Sequence, residues 1–415
     1  MTLRMRHLLL VLCLMTPAVG PAQTPDSQTL VTRLWQARSG EESSSARADL
    51  ITAAPDINTL YQWLKTGPTY VGDVPRGRQE GARLTADGTR FPYVVVVPES
   101  YDPARAYPVE FMLHGGVSRP EWEAGGDWWR RGYDGFLELE QITVVPAAWD
   151  ENFWWQAGQA ENLPAILRGL KQRYNIDDNR VYLTGVSDGG TGTYFFAFKQ
   201  PLHWAAFLPY IGHPGVLRSV QSGGGYALYF ENLMDRSLFI VNGEKDPLYP
   251  ASSIVPFIEV LKEANTDHEF TIIADGGHNT NWLPEQQARI DAFKQSHVRE
   301  PFPEHLIWVA DDDSLYNRNA WLRIDRLQSP GRPGLVEVDR SGNEFTVNAQ
   351  GVAGFTLLLN PEEINFNELV RVSVNGATLF TGQVLQDAET LLNSVEREYD
   401  RSLLYSAELS VQLPD

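Results

Sequence analysis

Residues 180–190 read Arg-Val-Tyr-Leu-Thr-Gly-Val-Ser-Asp-Gly-Gly. The first half is a largely apolar, β-branched run that suits a buried strand. The run breaks at Gly185, and residues 191–199 resume as a helix-like segment. The Gly-x-Ser-x-Gly spacing of Gly185, Ser187 and Gly189 is weak alone and gains its weight from this strand–turn–helix setting. A turn this sharp leaves no room for side chains beside the serine, which accounts for a glycine two residues to either side. It would lift the Ser187 hydroxyl above the sheet, at a helix N-terminus whose free N–H groups favour negative charge.

Working outward, short apolar runs alternate with helical segments. Strands are predicted over 93–97, 109–113, 142–145, 181–183, 206–210, 238–241 and 270–273. Helices are predicted over 161–174, 191–199, 254–264 and 284–295. This alternation predicts a mostly parallel sheet covered by helices on both faces, an α/β class.

A serine hydroxyl needs a base to become a nucleophile. His278 lies just beyond the strand predicted over 270–273, after Gly276 and Gly277. Asp246 follows the strand over 238–241 and is placed to orient that imidazole, with Glu244 and Asp275 as rivals. The chain order Ser187, Asp246, His278 is one of those in which such triads occur. An oxyanion needs two backbone donors. The amide of Asp188 is one candidate. Gly116 or Val117, in the loop His114-Gly115-Gly116-Val117 after an early strand, is the other. His114 reads as an anchor of that loop.

Together, His114-Gly115-Gly116, Gly185-x-Ser187-x-Gly189, Asp246 and His278 resemble the secreted α/β-hydrolase esterases of polyhydroxyalkanoate-depolymerase and feruloyl-esterase type. Serine peptidases of prolyl-oligopeptidase type share the motifs. The resemblance implies an α/β-hydrolase fold and cleavage of carboxylic esters, small or polymer-linked, through an acyl-enzyme. It implies neither metal nor cofactor. A peptidase with the same triad is the alternative, although no β-propeller precedes the catalytic segment. Cysteines that often brace such esterases are missing: the single Cys13 lies near the N-terminus.

That N-terminus reads as an export signal over 1–22. Arg4 and Arg6 precede a short apolar run too brief to span a bilayer, and small residues lead to Ala22. A secreted or periplasmic protein without stable membrane insertion is expected. Residues 23–69 read as a helical segment and 70–300 as the catalytic domain. Residues 301–415 read as a β-rich, sandwich-like domain with a hairpin signal at Asn375-Gly376. That domain could instead bind polysaccharide or a surface partner. The formal charge of −19 argues against nucleic acid as a partner. Trp149, Trp155 and Trp282 are candidates to wall a substrate pocket, as are Trp128 and Trp129, with core packing the competing and for most of them the favoured reading. The run Asp311-Asp312-Asp313 lacks the glycine and distal glutamate of a calcium loop and reads as a solvated turn.

Overall fold

The computed structural model describes residues 26–120 and 138–414. The expected export signal, Cys13, Asp127, Trp128 and Trp129 lie outside the described residues. Three helices come first: α1 (Ser27–Gln36), α2 (Gly40–Ala53) and α3 (Ile57–Thr66). Eight strands then build one sheet: β1 (Gly77–Leu84), β2 (Arg90–Val97), β3 (Tyr107–Leu113), β4 (Ile142–Pro146), β5 (Ile176–Val186), β6 (Ala206–Tyr210), β7 (Leu238–Gly243) and β8 (His268–Ile273). Their spatial order is β1-β2-β4-β3-β5-β6-β7-β8. β2 runs antiparallel to both of its neighbours, and β4-β3-β5-β6-β7-β8 are parallel throughout.

Helices α4 (Ala157–Lys171), α5 (Asp188–Lys199), α6 (Ala251–Glu263) and α7 (Leu283–Ser296) cover this sheet. Alternation along each strand sorts its side chains between the two faces. Val181, Leu183, Leu238 and Ile240 pack with α4, α5 and α6. Tyr182, Phe239 and Val241 pack with Trp282, Ile290 and Phe293 of the α7 side. From Gly189 onward every residue of α5 is buried, so this helix has no solvent face. The chain has an α/β-hydrolase fold, with two additional, mostly antiparallel sheets at its C-terminal end.

Those sheets comprise β9 (His305–Ala310), β10 (Arg318–Asn319), β11 (Leu322–Leu327), β12 (Gly334–Ser341), β13 (Glu344–Gln350), β14 (Val352–Leu359), β15 (Val370–Val374), β16 (Ala377–Gly382) and β17 (Ala407–Gln412). The orders are β10-β11-β14-β17 and β16-β15-β13-β12-β9, with one hydrophobic core shared between the two sheets. Asn375 and Gly376 both have positive φ and close the β15–β16 hairpin. Helix α8 (Ala388–Glu398) lies outside this core. Its Leu391, Leu392 and Val395 pack with Leu30, Leu34, Leu50, Leu60 and Leu64 of α1–α3. The N-terminal helices therefore share their hydrophobic core with the C-terminal unit.

Buried charges join the two units. Lys171 meets Asp178 at 2.8 Å and Asp400 at 2.9 Å. Arg299 reaches Asp400 at 2.9 Å, and Arg401 reaches Asp178 at 3.1 Å. Among the described residues no helix is long and apolar enough to cross a membrane.

Candidate active site

Four loops meet beyond the carboxyl ends of parallel strands β3, β5, β7 and β8, where open α/β sheets present their ligand crevice. Ser187 joins β5 to α5 with φ 57° and ψ −117°, a conformation rare for any residue but glycine. The surrounding packing enforces it. A Cβ on Gly185 would lie 2.0 Å from the Gly189 carbonyl oxygen. One on Gly189 would lie 2.0 Å from the carbonyl oxygen of Leu113. The Ser187 N–H donates to the Tyr210 carbonyl at 2.9 Å, which fixes the turn to β6.

The serine Oγ lies 2.8 Å from His278 Nε2. His278 Nδ1 lies 2.7 Å from Asp246 Oδ2. A carboxylate only accepts, so Nδ1 carries the proton and Nε2 is left to accept from the serine. Asp246 has no exposed side-chain surface, and its Oδ1 accepts the amides of Leu248 and Tyr249 at 2.8 and 2.9 Å. Its rivals sit elsewhere in the loop. Glu244 accepts the Asp275 amide at 2.9 Å, while Asp275 pairs with Lys245.

The loop after β3 lies against the elbow. A Cβ on Gly115 would stand 2.8 Å from that of Ser187, so only glycine permits this approach. His114 anchors the loop. Its Nδ1 donates to the Gly115 carbonyl at 2.8 Å, its Nε2 accepts the Ala148 amide at 3.1 Å, and its carbonyl accepts Trp154 Nε1 at 2.8 Å. Burial holds its pKa at about 4, in keeping with one neutral tautomer.

Of the donors expected from sequence, two have no backbone acceptor among the described residues. Asp188 opens α5, so its N–H has no acceptor one turn earlier in that helix. Gly116, next to the Gly115 that abuts Ser187, has φ 68°. Val117 is corrected: its N–H donates to Asp188 Oδ2 at 2.9 Å and is committed there. The Asp188 carboxylate, which the sequence reading did not single out, thus ties the β3 loop to the elbow.

The three tryptophans are corrected as well. Trp149 is 1% exposed and packs on Phe91 at 5.3 Å between ring centroids. Trp155 is 2% exposed, stacks on Phe153 and donates to the Ser222 carbonyl at 3.0 Å. Trp282 is 4% exposed, meets Tyr210 edge-on and donates to the Asn279 carbonyl at 2.9 Å. Their surface is spent on packing. Trp154 and Trp282 instead steady the loops carrying Gly115 and His278. Sequence reasoning also missed Tyr249, three residues after Asp246, whose ring lies 5.9 Å from that of His278. Burial, then the charges of Asp188 and Asp246, push its phenol pKa up.

Asp311 pairs with Lys199, Asp312 accepts the amides of Ser314 and Leu315, and Asp313 accepts that of Leu327. Among the described residues no group of three or more His, Cys, Asp or Glu side chains is arranged to hold a metal ion.

No protein-family model matches the chain, and no curated protein does. Among solved structures it is similar to a thermostable esterase at 23% identity and TM-score 0.43, over 54% of this chain and 63% of that one. A ferulic acid esterase from Anaeromyces mucronatus is similar at 16% identity and TM-score 0.42, over 55% of this chain and 93% of that one. Dipeptidyl peptidase 4 from Porphyromonas gingivalis is similar at 17% identity and TM-score 0.42, over 53% and 35%. The chain thus spans less than two thirds of the thermostable esterase and about a third of the peptidase.

Proposed function

We propose that this protein is a serine hydrolase that cleaves carboxylic esters through an acyl-enzyme. The observation that carries the reading is the hydrogen-bonded chain Ser187–His278–Asp246, at 2.8 and 2.7 Å, at the N-terminus of α5 with Gly115 packed against Ser187. Ser187 Oγ attacks the ester carbonyl carbon as His278 Nε2 takes its proton. Asp246 keeps the imidazole in the required tautomer and stabilises the imidazolium. The carbonyl oxygen becomes an oxyanion facing the amides of Asp188 and Gly116. Collapse expels the alcohol, which leaves with the proton held by His278. Water, deprotonated by the same ring, then attacks the acyl-enzyme and releases the acid.

This reading extends to export from the cell, with residues 1–22 removed and no need of a metal or cofactor. The test is labelling with a fluorophosphonate probe followed by p-nitrophenyl ester turnover. We expect the protein to be labelled on Ser187 and to turn over short acyl esters. Ser187→Ala should abolish both while leaving the melting temperature unchanged. Labelling that survives in that variant would remove Ser187 from the mechanism. Faster cleavage of a dipeptidyl anilide than of any ester would reassign the substrate to amides.

A further inference from the structure

A cavity of about 460 Å³ lies at the far end of α5 from Ser187. Twelve residues of helix separate the two, roughly 18 Å at the α-helical rise. Both units build the cavity: Arg83 on β1, Arg168 on α4, Gln200 and His203 after α5, and Tyr316 and Arg318 before β11. Its volume suits a small organic molecule.

The lining is cationic within an acidic chain. Arg83, Arg168, Lys199 and Arg318 surround it, and Glu161 is the one carboxylate among the lining residues. Lys199 is paired with Asp311, and Arg318 with Glu398. Arg168 has no such partner among the described residues. It donates only to the Arg397 carbonyl, at 3.1 Å, and lies over the Tyr399 ring. Arg83 stands 3.7 Å from the largely exposed Glu161, and its Nη1 is buried without a hydrogen bond.

Two neutral groups here also lack partners. Gln200 Oε1 and His203 Nδ1 are buried with no hydrogen bond among the described residues. Buried polar atoms seldom go unpaired, and with Arg318 Nη2 four of them converge on one cavity. The terminal torsions of Gln200 and His203 are soft, so both groups can turn toward a ligand. Burial keeps the His203 pKa at about 4, so at neutral pH the ring offers one donor and one acceptor. Tyr316 completes the wall in a strained conformation, with φ 55°. A bulky residue is held there only by its surroundings, and Tyr316 packs edge-on against Phe195 of α5.

We propose that this cavity binds a small hydroxylated carboxylate. Arg168 and Arg83 take the carboxylate, while His203 and Gln200 take the hydroxyls. Such a ligand bridges the hydrolase and C-terminal units and stabilises their junction. The assignment is independent of the ester-hydrolase reading, because no residue of the Ser187 site takes part.

The test is titration of the full chain with gluconate at constant ionic strength, followed by calorimetry and thermal melting. Glucose and inorganic phosphate serve as comparators. We expect saturable gluconate binding that raises the melting temperature by several degrees, with glucose and phosphate at least tenfold weaker. Arg168→Gln, at an exposed helix position, should weaken gluconate at least tenfold. Gln200→Leu should weaken it several-fold, and p-nitrophenyl ester turnover should not change in either variant. No gluconate binding, equal binding of glucose or phosphate, or unchanged affinity in Arg168→Gln would each overturn the proposal.

Discussion

Asp188 has two separable parts. Its amide opens α5 beside Ser187, and its carboxylate holds the Val117 amide at 2.9 Å. The second contact fixes Gly116 relative to Ser187, which makes the Asp188 side chain a positioning group. Asp188→Ala should lower kcat for a p-nitrophenyl ester by about 10²-fold, the order seen when one oxyanion donor is lost. KM should move little, and Asp188→Asn, which still offers an acceptor oxygen, should recover most of the rate. A change confined to KM would place the residue in substrate binding. Ser187→Ala should remove nearly all activity, a loss of about 10⁴-fold or more. The residue types Ser187, Asp246 and His278 were legible from motif and chain order. The carboxylate tether was not, because it depends on two loops 71 residues apart arriving side by side.

The elbow shows how elements constrain one another. Leu113 ends β3 directly beneath Gly189 of α5, and a methyl group there would overlap its carbonyl. Gly189→Ala should therefore destabilise the fold by about 3 kcal/mol or more, as backbone must move to admit it. A melting temperature within a degree of the parent would show that the contact relaxes freely. The apolar runs for β2 to β8 and the helices α4 to α7 were readable from local pattern: β4, β6 and β7 are continuous apolar runs buried on both faces, and α5 is buried all round. β1 was not, since Gly-Arg-Gln-Glu-Gly-Ala-Arg-Leu lacks alternation and holds its place as an edge strand paired only with β2. The polar composition of residues 40–45 suggests a break between helices. These residues open α2 instead, where Ser39 caps the helix through the Glu42 amide and Glu41 and Glu42 favour its positive end.

Acidity probes the junction between the units. Burial alone would raise the pKa of Asp400 and Glu398, but neighbouring cations more than reverse it. Arg299 and Lys171 act on Asp400, and Arg318 holds Glu398 at about 2. Both folded values lie below the unfolded ones, so their stabilisation is present above about pH 4 and is lost as pH falls toward 2. His114 and His203 are lowered to about 4, chiefly by burial. Their unfolded forms take up protons below about pH 6.5 that the fold refuses until about pH 4, so stability declines across that interval too. Thermal melts should fall in two stages, from about pH 6.5 to 4 and again below 4. A flat melting temperature through the first interval would contradict neutral buried imidazoles. Asp400→Asn leaves Arg299 without its carboxylate partner and Lys171 with Asp178 alone, and should destabilise the protein by about 3 kcal/mol.

By itself the sequence determined the α/β layering, the turn at Ser187 and the identity of the residues its chemistry would require. Those follow from local sterics and from hydrophobic periodicity, which act within a few residues. Tertiary structure alone decided that Val117 is committed to Asp188, that three candidate tryptophans are packing residues, and that the first three helices belong to the C-terminal unit. Each of those outcomes depends on which distant surfaces exclude water together, and a linear pattern carries no record of its partner.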